Sequence, residues 1–186
     1  TTGTSSFTPT DDSIYEGDET AIVAISGVSG GSASESGSQS VTLTINENED
    51  GPKVTLSASA SSIAENAGSS LTLTATLSVA TTGNVTVSIS TSGTGAEGTD
   101  YGTISDLTIS AGDTTGTVSF TPTDDSIYEG NETAIVSISA VSGLATEDGA
   151  QAVTIAITEN ESAPTVTLTA SASSIAENAG SSLTLT

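Results

Sequence analysis

Apolar residues alternate with serine and threonine along most of this chain. The runs VTLTI at 41–45, LTLTATL at 71–77, VTVSI at 85–89 and TVSFT at 117–121 set Val, Leu, Ile, Ala or Phe at every second position. Successive side chains of an extended strand point to opposite faces, so each run predicts a strand with one buried and one solvated face. Turn-forming stretches separate them: TTGN at 81–84, TSGTGAEG at 91–98 and SAGDTTG at 110–116. No segment sustains a helical period between capping residues. The pattern predicts seven strands in one unit, at 54–60, 69–79, 84–91, 103–109, 114–121, 133–140 and 151–158.

The same pattern recurs. TTGTSSFTPTDDSIYEGDETAIVAIS at 1–26 returns as TTGTVSFTPTDDSIYEGNETAIVSIS, so that Phe7 falls on Phe120, an offset of 113 residues. VTLSASASSIAENAGSSLTLT at 54–74 returns at 166–186 with one change, Ile63 falling on Ile175 at an offset of 112. The odd residue is absorbed in the Gly/Ser-rich stretch GVSGGSASESGSQS at 27–40, which reads as an exposed loop. A unit of this length suits an independent β-sandwich and is too long for a solenoid repeat. The expected organisation is the second half of one module at 1–52, a whole module at 53–163, and the first strands of a third at 164–186. Pro52 and Pro164 hold equivalent places between modules, where proline stiffens a short linker. Both ends interrupt the repeat, so an export signal or surface anchor is expected outside this stretch.

Composition narrows the chemistry. Against 23 acidic residues stands a single basic one, Lys53, for a formal charge of −22. Nucleic acid and anionic membrane surfaces are excluded as partners, since both are gripped through Lys and Arg. No apolar run approaches the length of a membrane span, so no direct membrane insertion is expected in this stretch. Cys and His are both absent, which removes disulfides, zinc thiolates and the commonest general base. The plausible counter-charges are hard cations with oxygen ligands, Ca²⁺ or Mg²⁺. A Ser/Thr/Gly-rich, Lys-poor and cysteine-free chain fits a secreted or cell-surface protein.

The acids gather in connections. In the complete module Glu65 lies in IAENAG, Asp100 closes GTGAEGTDY, and Asp124, Asp125, Glu129 and Glu132 fill TDDSIYEGNE. Glu159 and Glu161 follow the last strand in TENES. In a sandwich these four loops can share one pole, so eight carboxylates would converge there. Ca²⁺ takes six to eight oxygens from separate loops; Mg²⁺ demands stricter geometry and fits less well.

The run IAENAG…GTGAEGTDY…ISAGDTTGTVSFTPTDDSIYEGNE…ITENE resembles the Calx-beta module found in sodium–calcium exchangers and bacterial surface proteins. The resemblance spans the complete module and both partial ones. It implies an all-β fold, an immunoglobulin-like seven-stranded Greek-key sandwich arrayed as tandem modules, with clustered Ca²⁺ at the pole carrying these loops. The ligands it implies are Glu65, Asp100, Asp124, Asp125, Glu129, Glu132, Glu159 and Glu161, with the backbone carbonyl of Ile127. In the N-terminal half-module Asp11, Asp12, Ile14, Glu16, Glu19, Glu47 and Glu49 take the same roles, with Asp50 as an extra acid. Glu177 would serve the third module.

Catalysis is not expected: paired carboxylates can cleave glycosidic bonds, but such sites use aromatic platforms and this chain is 3% aromatic. Alternating Thr suits the outer face of a half-buried strand better than an ice-binding surface. The sequons at Asn84, Asn131 and Asn160 read as chance, because two of them fall within the acidic loops. The function expected is a calcium-rigidified structural or adhesive module of an extracellular protein or fibre, its partners being neighbouring modules. Two alternatives stand beside it. One is an adhesion module, its acidic loops not metal sites, gripping a partner through the loop at 140–151, where Leu144 and Glu147 lie, or through an exposed strand edge. The other is a filament built when 1–52 of one chain pairs with 164–186 of another, a self-association through complementary halves.

Overall fold

The computed structural model describes residues 2–186, and among them the alternating runs become strands and no helix forms. In chain order the strands are β1 (Glu19–Ala24), β2 (Ser40–Ile45), β3 (Lys53–Ala58), β4 (Ser62–Ala64), β5 (Leu71–Leu77) and β6 (Val85–Gly93). They continue as β7 (Leu107–Ile109), β8 (Thr115–Phe120), β9 (Glu132–Ser142), β10 (Thr146–Glu147) and β11 (Ala152–Thr158). β3 to β11 form a two-layer sandwich, one sheet ordered β10-β3-β5-β8 and the other β4-β11-β9-β6-β7. The chain passes from one sheet to the other after every strand of the sandwich except β6, which runs on into β7 within its own sheet. Strands adjacent in sequence are therefore mostly partners across the core rather than hydrogen-bonded neighbours. This is an immunoglobulin-like β-sandwich.

Three elements depart from the simple alternation. The strand expected at 54–60 breaks after Ala58 and resumes as β4, which leaves the sheet of β3 and pairs in parallel with β11. The Ser-rich ASASS run carries no apolar side chain bulkier than Ala that would commit it to either layer. The strand expected at 103–109 shortens to β7, because the Asp106 carboxylate accepts hydrogen bonds from Ile89 N (3.0 Å) and Ser88 Oγ (2.9 Å) where a strand would form its ladder. The β6–β9 register slips at that same Ser88/Ile89 step. The loop expected at 140–151 is partly strand: β9 runs to Ser142, and β10 pairs with β3.

The core is aliphatic, with one aromatic pair. Tyr101 and Phe120 are fully buried and stack with ring centroids 4.9 Å apart. Around them lie Val54, Leu73, Val85, Val87, Leu107, Ile109, Val136 and Ile155, drawn from both sheets. Each large side chain so enclosed contributes about 1.5–3 kcal/mol.

β1 and β2 repeat the hairpin of β9 and β11. Glu19 pairs with Ile45 and Ala21 with Leu43, as Glu132 pairs with Ile157 and Ala134 with Ile155. The surroundings differ: Val136 is wholly buried against the other sheet, while its counterpart Val23 is 51% exposed. Residues 166–186 likewise repeat local bonds of β3 and β5. Ser171 N donates to Thr184 O as Ser59 N donates to Thr72 O, both at 2.9 Å.

Candidate metal centre

The acidic pole is assembled by backbone bonds that bring four loops together. Glu65 N donates to Thr158 O (3.0 Å), fixing the loop after β4 to the end of β11. Thr123 N donates to Asp100 O (2.9 Å), fixing the loop after β8 to the one after β6. Within the TDDSIYEG loop, Asp125 Oδ1 accepts from Ile127 N (2.6 Å). Glu159 Oε2 accepts from Glu129 N (2.7 Å) and Gly130 N (2.8 Å), and its Oε1 from Glu161 N (3.0 Å). Gly130 stands at φ 82°, in the left-handed region that glycine enters without strain, so the chain can turn both N–H groups onto one carboxylate.

Two carboxylate triads result. Glu65, Glu159 and Glu161 each bring an oxygen within 4.8 Å of the others, and so do Asp100, Glu129 and Glu132. Asp125 lies between them: its charge bears on both Glu65 and Glu129, and its N–H reaches Glu65 Oε1 (3.4 Å). Asp124 adds its charge beside Glu161. Ile127 is held through its N–H while its side chain is 62% exposed.

The charges are poorly compensated. Glu161 is pushed up to about 7, first by the hydrogen bond it shares with Glu159, then by burial and by the charges of Glu159, Glu65 and Asp124. Glu159 is drawn down to about 2 by the N–H groups of Glu161 and Glu129. Burial raises Glu65, Glu129 and Glu132; the neighbouring Asp100 raises the last two further. Glu161 Oε2 is the one buried side-chain polar atom among the described residues without a hydrogen-bond partner. Lys53 is spent elsewhere, its Nζ donating to Thr146 Oγ1 (3.0 Å). A cluster of carboxylate oxygens with an orphaned buried one fits a hard divalent cation, which would take the place of the proton on Glu161.

The N-terminal segment repeats the hydrogen bonds of this loop, though among the described residues no three of its carboxylates converge as the two triads do. Glu47 Oε2 accepts from Glu16 N (2.6 Å) and Gly17 N (2.7 Å), and Asp12 Oδ1 from Ile14 N (2.7 Å). Asp11, Asp12, Ile14, Glu16, Glu19, Glu47 and Glu49 line one cleft. Glu47 is again drawn down to about 2, by its hydrogen bond with Glu49 and the N–H of Glu16, while Glu49 is raised by the same shared bond. Asp50 stands apart, lining a cleft with Lys53 and Ser78, and Glu177 lies exposed on the third segment outside either triad.

Sequence reasoning missed Asp18 and Asn131. These counterparts accept the N–H of Glu47 (2.9 Å) and of Glu159 (3.0 Å), orienting the residue at the centre of each site. The signal was present as an Asp/Asn exchange at one position of an otherwise identical loop.

No curated protein sequence matches the chain. Among solved structures, the apo form of a Calx CBD1 domain aligns at TM-score 0.48 and 16% identity, over 60% of this chain and 99% of that one. The structure of CBD12 from CALX1.2 aligns at 0.46 and 18%, over 52% of this chain and 40% of that one. The Calx-beta domain family matches residues 46–163, more than half of the sequence, and the chain belongs to that family.

Proposed function

We propose that this chain is a calcium-binding segment of an extracellular array of sandwich modules, in which Ca²⁺ stiffens the structure at each acidic pole. The observation that supports it is the pair of carboxylate triads, one of them carrying the orphaned Glu161 Oε2, with the same loop hydrogen bonds repeated around Glu47. Glu161 leads directly into the linker at Pro164, so an ion held between Glu65, Glu159 and Glu161 ties that linker to the module body. Modules of this extracellular type bind Ca²⁺ at about 10⁻⁴–10⁻³ M, which places their filling outside the cell. The role is structural or adhesive and non-catalytic.

Isothermal titration of Ca²⁺ into the wild-type chain and into the double variant Glu159→Gln, Glu161→Gln tests this. The reading predicts saturable binding that the double variant loses at the complete module. Equal binding by both proteins refutes the assignment.

A second reading rests on exposed apolar side chains at the two ends. Val23 (51% exposed) and Val41 (59%) on the β1–β2 hairpin, with Val166 (98%) and Leu168 (78%), have counterparts in Val136, Val153, Val54 and Leu56, which share one core in the complete sandwich. Pairing of 1–52 in one chain with 164–186 in a second would cover both. Light scattering on the concentrated chain decides it, and a strictly monomeric protein excludes it.

A further inference from the structure

The sequence TDDSIYEG occurs in two settings in this molecule, and comparing them isolates a contact surface. Its internal bonds are the same in both: an Asp carboxylate holds the Ile N–H (2.7 and 2.6 Å), and a Glu carboxylate holds the Glu and Gly N–H groups. The glycines match at φ 77° and 82°. Surroundings separate them. Ile14 and Tyr15 are half-buried, whereas Ile127 is 62% and Tyr128 44% exposed.

The N-terminal copy is covered by the module that follows it. Tyr15 N donates to Ala80 O (3.0 Å), and Tyr15 forms an isolated parallel bridge with Thr81 in the β5–β6 turn. Tyr15 also shares a cleft with Pro52, Leu144 and Thr146. Pro52 is fully buried at this junction, while its counterpart Pro164 is exposed. The receiving turn, Val79-Ala80-Thr81, carries no charge, so it accepts an apolar tip from an otherwise anionic loop without pairing like charges.

We propose that the Ile127–Tyr128 tip is a docking surface for a further copy of this module, which it meets at that copy's equivalents of Ala80–Thr81 and Leu144. Identical loops with identical internal bonds present identical surfaces, and one of them is already seated on such a partner. Neither Ile127 nor Tyr128 belongs to the core of its own sandwich or packs against it. The surface adjoins the cation site at Ile127, and the contact seen in the N-terminal copy runs through the tyrosine. The proposal rests on the array reading and not on calcium.

The test extends the full chain after Thr186 by a second copy of residues 75–163, with Tyr101→Phe and Tyr128→Phe in the appended copy only. Tyrosine nitration is then followed peptide by peptide, Asp18 and Asn131 distinguishing the two loops, with calcium and with chelator. In the unextended chain Tyr15 should react several-fold more slowly than Tyr128. Extension should slow Tyr128 to the rate of Tyr15, and Leu144→Asp in the appended copy should restore its original rate. An unchanged Tyr128 rate overturns the proposal, as does protection that survives Leu144→Asp. If the appended module does not melt cooperatively, Leu144→Asp in the unextended chain decides: it should raise Tyr15 to the Tyr128 rate, and no change overturns the contact itself. Calcium binding is read separately, so the two conclusions fail independently.

Discussion

Calcium binding should weaken as the pH falls through neutrality, and Glu161 sets how much. Its carboxyl is pushed up to about 7, and so keeps a proton near neutrality, by the Glu159 carboxylate beside it and by burial; one of its oxygens is buried without a partner. A cation must displace that proton, so the two compete for one site. With a protonation midpoint near 7, competition weakens the apparent affinity roughly tenfold between about pH 8 and about pH 6, with about one proton released per ion at the lower pH. Titration calorimetry in two buffers of different ionisation enthalpy measures both the affinity and the proton count. Glu161→Gln supplies the control: its affinity should be lower and flat across the range. An affinity independent of pH in the wild-type chain refutes the reasoning. The sign for the metal-free protein follows from the same group. A carboxyl raised on folding holds its proton better in the native state, so stability in chelator is fully present below its ordinary value of 4.5 and falls as pH rises towards 7. Glu159, drawn down to about 2, acts oppositely, its contribution being lost only as pH falls from 4.5 towards 2.

Three substitutions away from the acidic pole test the fold. Phe120→Ala removes the fully buried ring that stacks on Tyr101 and should cost about 3–5 kcal/mol in urea unfolding; a loss under about 1 kcal/mol contradicts the core as described. Gly93→Ala should lower stability by at least about 1–3 kcal/mol in thermal melts, because φ is 123° there and an added Cβ would lie 2.1 Å from Thr133 O; a neutral result contradicts the close β6–β9 approach. Asp106→Ala leaves the Ile89 N–H without its acceptor and should cost about 1–3 kcal/mol, with faster amide exchange at Ile89 and unaltered calcium affinity.

The strands were legible where an alternating run meets a core on one side only. LTLTATL at 71–77 buries Leu73, Ala75 and Leu77 and turns its threonines outward, as its pattern predicts. The pattern fails where a side chain replaces the backbone ladder. Asp106 ends β7 early, and nothing local distinguishes it from an acid on a solvated strand. The break between β3 and β4 was hidden for another reason: which sheet a Ser-rich run joins depends on β11, which arrives 90 or more residues later. At the acidic pole, the loops that carry the acids were readable because they recur almost unchanged. Their sorting into two triads was not, since Glu65 and Glu159 meet only through the bond of Glu65 N to Thr158 O. The roles of Asp18 and Asn131 are likewise positional: each holds a neighbour's N–H, an arrangement that spacing alone does not specify. Nor does the sequence distinguish Tyr15 from Tyr128, because the difference lies in the module each one faces.

Thermal unfolding in calcium and then in chelator tests the central claim most directly. An ion bound only by the folded state, at about 100 times its dissociation constant, adds about 2.7 kcal/mol per site, so the melting midpoint should rise by several degrees and fall back on chelation. Superimposable melts in the two conditions would show that the carboxylates gathered around Glu159 hold no ion.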